Sequence, residues 1–171
     1  MNEIKDSVNA LYDSIGGWVD YKDSATSATP INLTANIWTD LTNDKAGSGT
    51  ITTYKPSFIT GDLWNSASNS LDFTEVGSGR IMIIRNDFDI TAGAANTRID
   101  ARLYFPDTAK SIEFMHDNIA SNNDLVRYSR TTQLFTFTDV LTSGCKIQVR
   151  ADKSGATATV ENFLITLISH F

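Results

Sequence analysis

The side chains with the most chemical capacity in this sequence are His116 and His170, Cys145, and the carboxylates Asp87, Asp89 and Glu113. A nucleophilic hydrolase needs a serine, a histidine and a carboxylate brought together by the fold. His116 ends a predicted strand, whereas His170 is next to the last residue. Ser and Asp are so plentiful that spacing selects no partner for His116, and no Gly-x-Ser-x-Gly turn is present. Cys145 opens a predicted strand and reads as a small buried apolar residue, not a nucleophile. A glycosidase needs two carboxyls facing each other across a cleft. Asp87 and Asp89 share one strand face, where alternating Asp reads as solvation and Arg85 is the nearby ion-pair partner. The reading is therefore a protein that is not an enzyme.

Ligand-binding patterns are equally sparse. Asn43 and Asp44, and the group Asp117, Asn118, Asn122, Asn123 and Asp124, supply oxygen ligands of the kind calcium takes. No loop has the spacing and closing Glu of a calcium hand, so Asx-rich turns explain these clusters. One cysteine excludes a Cys-based zinc site and an internal disulfide. Gly47-Ser48-Gly49 precedes a predicted strand, so it is no phosphate loop. Asn32-Leu33-Thr34 has the glycosylation spacing, but no secretion signal accompanies it. No metal or cofactor is expected. Trp38 reads as a core residue in mid-strand. Trp18 and Trp64 lie in irregular segments and are the candidates for exposed recognition, as large rigid side chains with a polar tip.

The elements that must carry these residues are strands. Asp outnumbers Glu about four to one, and Thr, Ser and Asn abound. Asp, Asn and Ser favour turns, while Thr suits a pleated surface. Residues 36–41 alternate, with Ile37, Thr39 and Leu41 on one face and Trp38 on the other. Residues 50–54 are rich in strand formers, and 55–70 read as a long loop. Residues 80–90 hold Ile81-Met82-Ile83-Ile84, apolar on both faces, which predicts a central strand covered on both sides. Residues 97–105 alternate cleanly. Strands are further predicted over 111–115, 125–128, 134–140, 145–151 and 157–168. Turn residues separate them, and no helical crossover lies between, which favours a two-sheet sandwich or barrel, with a jelly roll as the natural solution.

The first segment differs. Ile4, Val8, Leu11 and Ile15 recur at helical spacing, and Gly16-Gly17 ends the pattern. A helix this short is marginal alone in water, so its stripe must pack on its own domain, on a partner or on copies of itself. The organisation read from the sequence is a helix or anchor over 1–17, a linker or entering strand over 18–30, and one domain over 31–171. The formal net charge is -6 with a pI near 4.7. Such a chain does not favour a phosphate backbone, so nucleic acid is not an expected partner. No apolar run approaches the ~20 residues of a membrane helix, so membrane insertion is not expected.

Residues 34–91 carry a resemblance. The run Thr34-Ala35-Asn36-Ile37-Trp38-Thr39-Asp40-Leu41-Thr42-Asn43-Asp44, followed by Leu63-Trp64-Asn65, Leu71-Asp72-Phe73 and Ile84-Arg85-Asn86-Asp87-Phe88-Asp89-Ile90-Thr91, resembles a pattern of tailed-bacteriophage virion proteins. Those are jelly-roll modules of decoration proteins, head fibres and tail fibres, often trimeric and similar to the tumour-necrosis-factor and C1q folds. The resemblance covers about a third of the chain and is a packing signature without a chemical motif. It implies an antiparallel jelly-roll sandwich with a short N-terminal helix, located on a virion. It further implies a non-enzymatic structural role, a homotrimer, and contacts with other virion proteins of the capsid or tail. Ile4, Val8, Leu11 and Ile15 would form the assembly or anchor surface. The other reading is a receptor- or glycan-binding tip that meets a host surface glycan through Trp18 and Trp64.

Overall fold

In the computed structural model, which describes residues 16–136 and 144–168, the described chain is almost entirely strand. It runs β1 (Gly17–Lys22), a single helical turn α1 (Ala25–Ala28), β2 (Ile31–Leu33), β3 (Thr39–Asp40), β4 (Trp64–Asn65), β5 (Ser70–Leu71), β6 (Ile81–Thr91), β7 (Thr97–Phe105), β8 (Lys110–Ile119), β9 (Leu125–Phe135), β10 (Lys146–Ala151) and β11 (Ala156–Ile168). One sheet has the order β1-β11-β6-β9, with β2 also paired to β11, and the other the order β3-β10-β7-β8. Every pairing is antiparallel. The protein is an antiparallel two-sheet jelly-roll sandwich.

Period-two patterning decides which faces meet. On β7, Ile99, Ala101, Leu103 and Phe105 are buried against the facing sheet, while Arg98, Arg102 and Tyr104 stand on the outer side. On β6 the inward set is Met82, Ile84, Asn86, Phe88 and Ile90. The loops between β3 and β6 close one end. There Trp64 lies edge-on to Phe163 with ring centroids 4.8 Å apart. The Leu63 backbone N–H donates to the Tyr21 hydroxyl at 2.9 Å, and burial pushes that phenol up to about 12. Close backbone contact fixes the opposite end: a Cβ on Gly93 would lie 2.2 Å from the carbonyl carbon of Gly155.

Several elements differ from the sequence reading. Residues 125–128 and 134–140 were expected as separate strands, but β9 runs unbroken over Leu125–Phe135, because polar Ser129, Thr131 and Gln133 are simply its solvent side. Residues 50–54 form no strand; Ile51 makes one bridge to Asp20. Residues 17–22 are edge strand β1, so the first part of the 18–30 segment takes the entering-strand alternative. Residues 23–30, expected to lack a core side chain, place Thr26 in the interior. Its hydroxyl donates to Asp23 at 2.6 Å and accepts from the Val160 N–H at 2.8 Å. Ile37, expected on one face with Leu41, is 56% exposed while Leu41 is buried. The predicted N-terminal helix, with Ile4, Val8, Leu11 and Ile15, lies outside the described residues.

Candidate functional site

The outer face of the β3-β10-β7-β8 sheet gathers most of the polar chemistry. Strand register sets it out in rows. Gln148 lies opposite both Asp40 and Arg102, and Arg102 opposite Glu113. One step along, Asp100 lies opposite Arg150 on one side and His116 on the other. A third row pairs Lys146 with Tyr104 and Tyr104 with Ser111. An irregularity between Ala101 and Arg102 leaves Phe114 as the extra residue of β8, which keeps both Glu113 and His116 on the outer face.

These rows are bonded. The Arg150 guanidinium donates to Asp100 at 2.6 Å, and His116 Nδ1 shares a hydrogen bond with Asp100 at 2.8 Å. Arg98 stands 3.4 Å from the same carboxylate, whose side chain is only 3% exposed. Burial alone raises the Asp100 carboxyl, but the bonds from Arg150 and His116 and the charge of Arg98 outweigh it and hold it below the ordinary aspartate value. In the next row, Arg102 Nε donates to Gln148 Oε1 at 2.9 Å, and Gln148 Nε2 donates to Asp40 Oδ1 at 2.7 Å. Lys146 also pairs with Asp40, at 2.5 Å. Trp38 sits among the cations, with the Arg102 and Arg150 guanidinium carbons 4.1 and 4.5 Å from its ring centroid. Arg102 also lies over Tyr104, at 4.7 Å.

The opposite outward face, on the β1-β11-β6-β9 sheet, is graded. One end is charged: Asp87 pairs with Arg85 at 3.0 Å and Asp89 with Arg127 at 3.1 Å. Toward the other end the register brings Ile168 opposite Ile81, Ile81 opposite Phe135, and Ile83 opposite Thr166. Ile81 and Ile83 are half-buried, Ile168 is 38% exposed and Phe135 53%. Trp18, opposite Thr166, stacks on Tyr54 with centroids 4.9 Å apart. This apolar end surrounds the point where residues 1–15 join the fold: a Cβ on Gly16 would lie 1.9 Å from the Leu167 carbonyl oxygen.

The sequence candidates fall out unequally. Trp64, expected to be exposed, is fully buried. Its indole N–H donates to the Asn43 carbonyl at 2.7 Å, and its ring fills the end of the core against Phe163, so it has no surface to offer a ligand. Trp18 is half-buried and presents a stacked pair with Tyr54. Trp38, expected in the core, is instead half-buried on the outer face. The signal that would have placed it there is the Arg98, Asp100, Arg102, Tyr104 alternation on β7, which marks that face as polar. His116 meets two carboxylates, Asp100 and Glu113 at 3.1 Å on its other nitrogen, and no hydroxyl is bonded to it among the described residues. Cys145 is buried and unexposed to substrate, and burial pushes its thiol up. Asn43 and Asp44 spend their oxygens on the backbone N–H groups of Lys45, Ser24 and Ala46. Among the described residues, no three His, Cys, Asp or Glu side chains are grouped to hold a metal, and no helix is long and apolar enough to cross a membrane.

The fold and its outward faces define a jelly-roll β-sandwich module. No family model and no curated protein matches the sequence. Among solved structures it is similar to the PRD1 vertex protein P5, at 14% identity and a TM-score of 0.41, over 89% of this chain and 70% of that one. It is also similar to the CBM22-1 xylan-binding domain of Paenibacillus barcinonensis Xyn10C, at 13% identity and a TM-score of 0.43, over 92% and 99% of the two chains. A third is the Eiger TNF of S. frugiperda, at 8% identity and a TM-score of 0.38, over 90% and 92%. These likenesses extend to the all-β layout and no further.

Proposed function

We propose that this chain is a non-enzymatic structural module of a bacteriophage virion, of the capsid-decoration, head-fibre or small tail-appendage type, which assembles as a homotrimer and attaches through its N-terminal segment. The observation that carries the reading is the apolar end of the β1-β11-β6-β9 outer face. Ile81, Ile83 and Ile168 stand there in register with one another or with a neighbouring strand, the first two half-buried and Ile168 exposed. Soluble monomers rarely leave contiguous apolar surface of this kind uncovered. It lies beside Gly16, the residue that follows the segment bearing Ile4, Val8, Leu11 and Ile15, so the apolar stripe read from the sequence and this apolar end are close along the chain. Sharing them between copies links folding to association. The resemblance of residues 34–91 to virion modules supports the same reading.

The test is the native mass of the full chain and of a version starting at Gly16, which keeps β1 whole. The expected result is a trimer for the full chain and a monomer for the shortened one. A monomeric full chain at micromolar concentration counts against self-assembly. A trimer in both cases moves the interface onto the sandwich and leaves the N-terminal segment for attachment.

A second reading, recognition of a surface glycan, is favoured by one observation. Trp38 and Tyr104 are half-exposed on the outer sheet face, packed with Arg102 and beside bonded polar side chains. Aromatic side chains among hydrogen-bonding groups are what a sugar ring needs.

A further inference from the structure

We propose that the outer face of the β3-β10-β7-β8 sheet binds a carboxylate-bearing sugar, with the Arg102 guanidinium pairing its carboxylate. The proposal rests on the glycan reading above and names the ligand chemistry of that face.

The charge inventory of the face leads to it. Arg98 and Arg150 both reach Asp100, and Lys146 reaches Asp40. Arg102 alone of these cations has no carboxylate within 4.0 Å among the described residues. Glu113, opposite it on β8, turns a carboxylate oxygen toward His116 instead, at 3.1 Å. Burial works first against the Arg102 charge and pulls its ionisation below the ordinary arginine value, and the attraction of Tyr104 and Glu113 does not restore it. A half-buried guanidinium without a carboxylate partner gains most from an anion that arrives with the ligand.

The geometry is prepared for that anion. Arg102 uses Nε on Gln148, and Gln148, itself only 7% exposed, is held by Asp40. The plane of the guanidinium is therefore set before any ligand arrives, and its two terminal nitrogens carry no bond among the described residues. Such a fork matches the two oxygens of a carboxylate. Trp38 and Tyr104 wall it at 4.1 and 4.7 Å. Beyond them, Ser111 and Asn118 are exposed and offer hydroxyl and amide groups to sugar hydroxyls. The face is about 14 Å across from β3 to β8, which is room for a short oligosaccharide. A single negative charge suits the site better than a dianionic phosphate. One guanidinium is uncompensated, while Asp40, Asp100 and Glu113 repel any charge beyond that.

The probes are methyl galacturonoside, which bears one carboxylate, and its methyl ester, titrated into the full chain by calorimetry and followed by the Trp38 indole N–H resonance. The acid should bind at least about tenfold more tightly than the ester and shift that resonance. Arg102→Gln should lose about tenfold, roughly 1.4 kcal/mol, and Arg102→Lys should not restore it, because an ammonium lacks the fork. Glu113→Gln, at an exposed position, should tighten binding about two- to threefold by removing a repelling charge, and this arm stands if Arg102→Gln fails to fold. Equal binding of acid and ester overturns the proposal but leaves the glycan reading standing. An unmoved Trp38 signal at millimolar acid with either probe overturns both. Unchanged affinity in Arg102→Gln or in Glu113→Gln overturns the role assigned to Arg102.

Discussion

At the residue scale, three buried polar groups set the terms. Trp64 combines a fully buried ring with an indole N–H on the Asn43 carbonyl. Trp64→Phe removes the donor and leaves that carbonyl unpaired in the interior, so it should cost about 1–3 kcal/mol, read as a lower midpoint in chemical denaturation with an unchanged slope. Asn86 is the converse case. It lies on the inward face of β6, fully buried, and neither amide atom has a partner among the described residues. Asn86→Leu keeps the shape and removes the desolvation penalty, so it should raise stability by about 1–2 kcal/mol; a lower melting temperature would mean that buried water serves the amide. Asp100 is the third. Its carboxyl is held low against the opposing effect of burial by Arg150, His116 and Arg98. A carboxyl depressed in the folded state adds stability above its unfolded value and loses it as pH falls through the folded one. The melting temperature should therefore drop as pH falls below about 4. Asp100→Asn should lower it near neutrality and flatten that acid decline.

At the element scale, most of the strands were legible and most of the functional surface was not. β7 and β10 follow period-two patterning, so their spans and inward faces can be read directly from residues such as Ile99, Leu103, Ile147 and Val149, whereas the apolar runs of β6 and β11 mark their spans alone, and Ile81 and Ile83, expected under cover, are half-buried on the outer side. β9 was split because its centre is polar on one side, and a strand with a solvated face shows its continuity only through the partner that holds it, here β6 over eleven register pairs. Trp64 and Trp38 were exchanged, inside for outside, for a similar reason. Trp64 sits in a long loop by sequence, but the β4–β5 hairpin folds that loop over the core and turns the ring inward. Trp38 precedes β3, and its exposure is decided by Arg102 and Arg150, which are distant in sequence and adjacent only through the sheet. The loop contact between Gly93 and Gly155 gives the element-scale test. Gly155 has φ of +83° and Gly93 abuts it without room for a Cβ. Gly93→Ala must push apart the connections that precede β7 and β11, so it should destabilise by about 1–3 kcal/mol. Hydrogen exchange would show the loss first in the β6–β7 and β10–β11 turns.

At the scale of the whole molecule, the sandwich has two outward faces with opposite characters. The β3-β10-β7-β8 face is ion-paired and aromatic. The β1-β11-β6-β9 face is ion-paired at one end and apolar at the other. An assembly that buries the apolar end leaves the polar face outward, which would divide the proposed attachment from the proposed recognition on one small domain. The division makes a prediction. Ile83 is half-buried on the outer face and opposite Thr166 and Gln133, so its side chain is not part of the core between the sheets. Ile83→Asp should leave the isolated sandwich folded, with a melting temperature within a few degrees of the parent monomer. It should also convert a trimer to monomers, because an unpaired carboxylate buried between copies costs several kcal/mol in each of them. Native mass and thermal melting of the same preparation separate the two effects. Monomers that melt normally place the interface on this face. A trimer of unchanged stability places it elsewhere and frees the apolar end for a different partner. Uronate binding at Arg102, on the far side of the sandwich, should be the same for Ile83→Asp as for the parent chain, since the two faces share only the core.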